Sequence, residues 1–222
     1  MNKLFTTIFA VAVAFATIPS QAQDIKGDAK AGESKNSMCI GCHGIKGYQS
    51  TFPEVYKVPM ISGQSAQYIS SALHAYKKGD RKYPSMRGIA DSLSDQDIAD
   101  LAAYYSASGV VAGAELPAKP VKEPTAEVQA LLTKANCASC HGANFSKPID
   151  PSYPKIAGQH ADYLFVALKA YKVDPGNPRV GRGNAIMSGM AKQYTNAELK
   201  LLANYLSSVQ GELKTVPESR FR

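Results

Sequence analysis

Four stretches of the chain set apolar residues at helical spacing. Between Ser65 and Lys78, the residues Tyr68, Ile69, Ala72, Leu73 and Tyr76 share one face, and Gly79 supplies the stop. Behind Ser94-Asp95-Gln96-Asp97, a capping-box pattern with Asp at its fourth position, Ile98, Leu101, Ala102 and Tyr105 follow at i, i+3, i+4 and i+7. The third stretch carries Tyr163, Ala167, Leu168, Ala170, Tyr171 and Lys172, which reproduce Tyr68, Ala72, Leu73, Ala75, Tyr76 and Lys77. The fourth sets Leu199, Leu202, Ala203 and Leu206 behind the capping box Thr195-Asn196-Ala197-Glu198. Shorter helices are expected from Asp28 to Met38 and from Thr125 to about Asn136. Neither half alternates apolar and polar residues as a strand requires, so the fold class is mainly α. Segments 44–62 and 80–90 read as irregular loops, with Gly47, Pro53 and Pro59 in one and Pro84 and Gly88 in the other.

The repetition extends to the loops. Pro59-Met60-Ile61-Ser62-Gly63-Gln64 matches Pro154-Lys155-Ile156-Ala157-Gly158-Gln159, in the same order as the helices, which marks an internal duplication. Two tandem domains are expected, 23–109 and 125–222. They are joined by a connector, 110–124, whose Pro117, Pro120 and Pro124 favour an extended, semi-rigid path. Residues 1–22 read as an export signal cleaved near Ala22, with Lys3 at the positive start and an apolar run from Leu4 to Ile18. That run of about fifteen residues falls short of the ~20 a membrane span needs, so at most a peripheral membrane contact is expected.

Charge changes the picture little. The 222 residues include 25 Lys or Arg against 18 Asp or Glu, a formal net charge of +7. The lysines are scattered, which together with export argues against a nucleic-acid partner; a mildly basic face steers toward acidic protein partners at low ionic strength.

The candidate chemistry lies in one pentapeptide that occurs twice: Cys39-Ile40-Gly41-Cys42-His43 and Cys137-Ala138-Ser139-Cys140-His141. Cys-x-x-Cys-His is the spacing of covalent c-type haem attachment. Two thiols add across the vinyl groups of one porphyrin, and the adjacent imidazole binds its iron. A dithiol redox pair needs no histidine after the second cysteine, and a zinc site would join both halves through one metal. All four cysteines are consumed by the two motifs, so two covalently bound haem c groups are expected. Export fits this chemistry and gives a periplasmic location.

A haem iron that only passes electrons needs a second axial group, commonly a methionine thioether. Aligning the caps Ser94 and Thr195 pairs Met86 with Met187, each eight residues upstream. Met190 competes with Met187, but its counterpart is Ile89. Met38 and Met60 read as core or surface residues, and His74 and His160 as helix-surface histidines. The carbonyls of Pro59 and Pro154 are candidate acceptors for the free N–H of His43 and His141. Arg81 and Arg182, each five residues before its methionine, are candidate propionate partners, the alternative being exposed loop charges.

With two haem motifs, paired Pro-x-Ile-x-Gly-Gln segments, Met86 and Met187, the chain resembles the diheme cytochromes c of the cytochrome c4 family over nearly all of its length after the signal. The resemblance implies two class I cytochrome c-like domains in a pseudo-twofold arrangement, each with a His/Met low-spin haem. It also implies an electron carrier, not an enzyme, working by outer-sphere transfer between a quinol-oxidising cytochrome bc complex and a terminal oxidase or reductase. The rival is an electron-accepting subunit of a periplasmic dehydrogenase acting on a sulfur compound or an alcohol; a peroxidase would need one iron without its methionine. One departure is the loop 45–58, longer than its partner 143–153, which argues against a symmetric partner surface.

Overall fold

Asp28 opens the first helix: its carboxylate accepts the backbone N–H groups of Lys30 and Ala31 at 2.8 and 3.1 Å, capping α1 (Ala29–Lys35). The structure is a computed structural model that describes residues 25–217; the expected export segment lies outside them. The single helix expected up to Met38 is in fact two. After the buried Asn36, α2 (Ser37–His43) carries the first Cys-x-x-Cys-His motif within its own turns. Then come α3 (Ala66–Lys78), α4 (Pro84–Asp91) and α5 (Asp95–Ala107). The second half repeats this order with α6 (Ala126–Lys134), α7 (Cys137–His141), α8 (Ala161–Ala170), α9 (Ala185–Ala191) and α10 (Asn196–Ser208).

Two expectations are corrected. Segment 80–90 is not wholly irregular: Pro84, with φ fixed and no N–H to satisfy, starts α4, and the Asn184 side chain caps α9 by accepting the Met187 N–H at 2.9 Å. Strands also occur, though only as two-residue pairs too short for alternation to register. β1 (Gln49–Ser50) pairs antiparallel with β2 (Tyr56–Lys57) inside the long first loop, and β3 (Arg81–Lys82) pairs antiparallel with β4 (Gly181–Arg182) across the two halves.

Each half has its own core. Ile69, Leu93, Ile98, Leu101 and Ala102 fill the first; Leu131, Leu132, Phe145, Leu164, Leu199, Leu202 and Leu206 fill the second. In the first, α1 crosses α5 so closely that a Cβ on Gly32 would stand 2.1 Å from the Asp100 carbonyl oxygen, a distance no side chain tolerates. The matched residues make matched ties. Both capping boxes close, with Asp97 N–H donating to Ser94 Oγ at 3.1 Å and Glu198 N–H to Thr195 Oγ1 at 3.2 Å. Lys77 Nζ reaches the Leu93 carbonyl at 2.6 Å, and its counterpart Lys172 reaches that of Tyr194 at 2.7 Å. Gly63 and Gly158, with φ of 83° and 73°, turn their loops back onto the last helices, donating N–H groups to Tyr105 and Leu206 at 2.8 and 2.9 Å.

The halves also contact each other closely. The extra length of the first loop is spent on this contact: Lys57 N–H and Nζ both donate to Asp162 Oδ2 at the start of α8, at 3.0 and 3.3 Å, and Glu54 pairs with Lys169. The chain after α10 returns to the first half, where Lys214 N–H donates to the Ser62 carbonyl at 3.0 Å.

Candidate functional site

Each motif places two cysteines and a histidine on a short helix followed by a loop that returns to the imidazole. His43 Nδ1 donates to the Pro59 carbonyl at 2.8 Å and His141 Nδ1 to the Pro154 carbonyl at 2.9 Å. The bond fixes the tautomer and the ring direction and leaves Nε2 for a metal. Burial pushes both imidazoles below their usual range, against the raising effect of these carbonyls, so each ring is held neutral, as a metal ligand must be.

The four thiols are unpaired by disulfides. Burial drives the Cys39 thiol up to about 11, opposed by a hydrogen bond from Tyr105, and raises Cys137 as well. Among the described residues, no group of three or more His, Cys, Asp or Glu side chains is arranged to hold a metal ion.

Met86 lies on α4 and Met187 on α9, both half-buried, each two residues past the start of its helix. The Met190 sulfur instead accepts from Gln193 Nε2 at 3.7 Å. Met38 is exposed on α2 and Met60 half-buried in its loop. His74 is exposed, with Nδ1 donating to the Ser70 carbonyl at 2.9 Å, and His160 precedes α8, half-buried.

Arg81 and Arg182 face each other in the β3–β4 pairing and are not exposed loop charges. The Arg81 guanidinium stacks over Tyr76 at 4.6 Å and Tyr68 at 5.9 Å, and the Arg182 guanidinium lies 5.5 Å from both Tyr163 and Tyr171, the counterparts of those tyrosines. Burial raises the Tyr163 phenol, but the two guanidiniums outweigh it and bring it down to about 8. Two cations are therefore held side by side, and the buried Nε of Arg81 has no partner among the described residues. An acidic group presented by a cofactor fits that arrangement. With an imidazole aimed by a proline carbonyl beside each pair of cysteines, the donor set matches a covalently held porphyrin.

Two residues of the matched loops had no role in the sequence. Gln64 and Gln159, both buried, reach across the interface and hydrogen-bond to the opposite loop. Their recurrence at equivalent positions was the only signal they gave.

The sequence model of the cytochrome c family matches residues 29–106 and 125–210. Cytochrome c4 of Azotobacter vinelandii is 30% identical over 195 residues, covering 82% of this chain and 90% of its own. A thiosulfate dehydrogenase electron acceptor of Thiomonas intermedia is 28% identical over 181 residues, 77% of each chain. The solved structure of reduced recombinant cytochrome c4 from Pseudomonas stutzeri superposes with a TM-score of 0.57 at 27% identity, covering 83% of this chain and 100% of that one. The chain belongs to the cytochrome c family, among the cytochromes c4, and is an electron carrier of two cytochrome c domains with two covalently bound haem c groups.

Proposed function

We propose that the chain is a periplasmic carrier that takes electrons from a quinol-oxidising cytochrome bc complex and delivers them to a terminal oxidase or reductase. In this reading Cys39 and Cys42 hold the first haem and Cys137 and Cys140 the second, with His43 and Met86, and His141 and Met187, as axial ligands. Each haem supplies a one-electron ferrous–ferric couple. The observation that carries the reading is the pair of imidazole-to-proline-carbonyl bonds at 2.8 and 2.9 Å, which aim both histidines in the same way in both halves.

The residues of this chain then do positional work. Pro59 and Pro154 orient the rings, and Arg81 and Arg182 would neutralise propionate charge between the halves. Burial of the two histidines would keep water away from the iron positions they hold. The domains run from 23 to 109 and from 125 to 222, behind an export signal cleaved near Ala22. No helix among the described residues is long and apolar enough to cross a membrane.

A second reading is favoured by the likeness to a thiosulfate dehydrogenase electron acceptor. The same two centres would accept electrons from a periplasmic dehydrogenase that oxidises a sulfur compound. Direct reduction of the purified chain by such an enzyme, faster than by a quinol-oxidising complex, would select it.

The ligand assignment is tested in the near-infrared, where sulfur bound to ferric iron gives a weak band. Met86→Ala and Met187→Ala each remove about half of it. Loss of that half in Met190→Ala, with Met187→Ala unaffected, would move the second ligand.

A further inference from the structure

The peptide unit that accepts from each axial histidine is itself gripped from the other domain. The Pro59 carbonyl takes the His43 N–H at 2.8 Å; the N–H of that same peptide, on Met60, donates to Gln159 Oε1 at 3.0 Å. Gln159 Nε2 completes the grip by donating to the Met60 carbonyl at 2.8 Å. The second half is wired in the same way. His141 donates to the Pro154 carbonyl at 2.9 Å, the Lys155 N–H donates to Gln64 Oε1 at 2.9 Å, and Gln64 Nε2 donates to the Lys155 carbonyl at 3.0 Å. Both glutamines are 4% exposed, so these bonds lie out of water and are not exchanged for hydration.

We propose that Gln64 and Gln159 are crossed positioning residues: each sets the hydrogen bond on the axial histidine of the opposite domain, and so the potential of the opposite haem. The inference rests on the axial roles proposed for His43 and His141. An amide that donates its N–H shifts density through its partial C–N double bond onto its oxygen, which makes the carbonyl a stronger acceptor. A stronger acceptor at Nδ1 raises the basicity of the imidazole at Nε2, which favours ferric iron. Gln159 therefore lowers the potential of the haem in the first domain, and Gln64 that of the haem in the second. By the reciprocity of linked equilibria, the oxidation state of either centre biases the grip at the domain interface.

A merely structural role makes the opposite forecast. Gln159 sits in the loop that carries Pro154, and its Oε1 also accepts from His160 N–H at 3.0 Å, so a local disturbance would reach the haem of its own domain. The test uses the two-haem protein with potentials assigned haem by haem from hyperfine-shifted haem methyl resonances. Gln159→Leu shifts the equilibrium of the first haem toward ferrous by about threefold and leaves the second in place, and Gln64→Leu does the reverse. The histidine Nδ1–H of the affected haem exchanges faster with solvent. Gln159→Glu, measured at mildly acidic pH where a buried glutamic acid stays neutral and offers the same acceptor and donor, restores the first haem's value. Should the leucine variant fail to assemble, Gln159→Met, which keeps the length of the side chain, carries the same readout. A shift in the haem of the mutated domain, an equal shift in both, or no shift in either with the low-spin spectrum intact would overturn the inference. A low-spin spectrum unchanged in His43→Ala would instead remove the axial reading beneath it.

Discussion

Asp100 is 2% exposed and still holds a charge, because three donors meet it: Asp28 N–H at 2.8 Å, Lys35 Nζ at 2.7 Å and Gln96 Nε2 at 2.8 Å. The Lys35 ammonium first, and then the Asp28 N–H, hold its carboxyl below the usual carboxylate range. A folded-state pKa below the unfolded one stabilises the fold above the unfolded value near 4, and that contribution is lost as pH falls toward the folded value. Asp100→Asn should therefore destabilise the protein by about 2 kcal/mol at neutral pH, and the difference should shrink below about pH 4; denaturant titrations of both proteins across that range check it. The partners of Asp100 are 65 to 72 residues away for two of its three bonds, so nothing in its local sequence marked it. The residues proposed to hold the haems stood out in the sequence for the contrary reason. A cysteine pair and its histidine are contiguous, and the duplication gave each candidate methionine a counterpart to be checked against. Gln64 and Gln159 were visible as a matched pair, but their function lies across an interface that a linear reading does not contain.

At the scale of elements, the long periodic helices and the short α1 and α6, each opened by a capping residue, were legible in the chain, whereas α4 and α9 were not. α3, α5 and α10 present an apolar face over 13 residues each, with a stop or a capping box to bound them. α4 and α9, at 8 and 7 residues, are too short to establish a period and contain Gly88 and Gly189, so the methionine-bearing segments passed as loops. They are set by their starts instead, Pro84 in one and Asn184 in the other. The crossing of α1 on α5 is set by a missing side chain. Gly32→Ala would drive a methyl group into the Asp100 carbonyl and lift α1 away from α5. A loss of about 2 kcal/mol or more is expected, read as a lower thermal midpoint. An unchanged midpoint would mean that the two helices have slack that the close approach denies.

The whole molecule is a duplication whose copies contact each other at equivalent places. Matched lysines, glycines and capping boxes hold each half in the same way, while the contacts between halves join equivalent places: loop to loop through the glutamines, and Arg81 to Arg182 through the β3–β4 pairing. Where the copies differ, the difference also serves the interface, as in the long first loop that leans on α8 through Lys57 and Asp162. The pseudo-symmetry was legible from repeated motifs, but the way the halves dock was not, because two-residue strands and side-chain bridges leave no periodic trace. With the proposed ligands in place, each domain would enclose a redox centre and leave no iron position open to a substrate. Exposure of the fully reduced protein to carbon monoxide at neutral pH tests this directly, because the gas binds ferrous haem only where an axial position is free. Visible spectra unchanged by the gas at both centres are the predicted result; a carbon monoxide adduct forming readily at either one would contradict it.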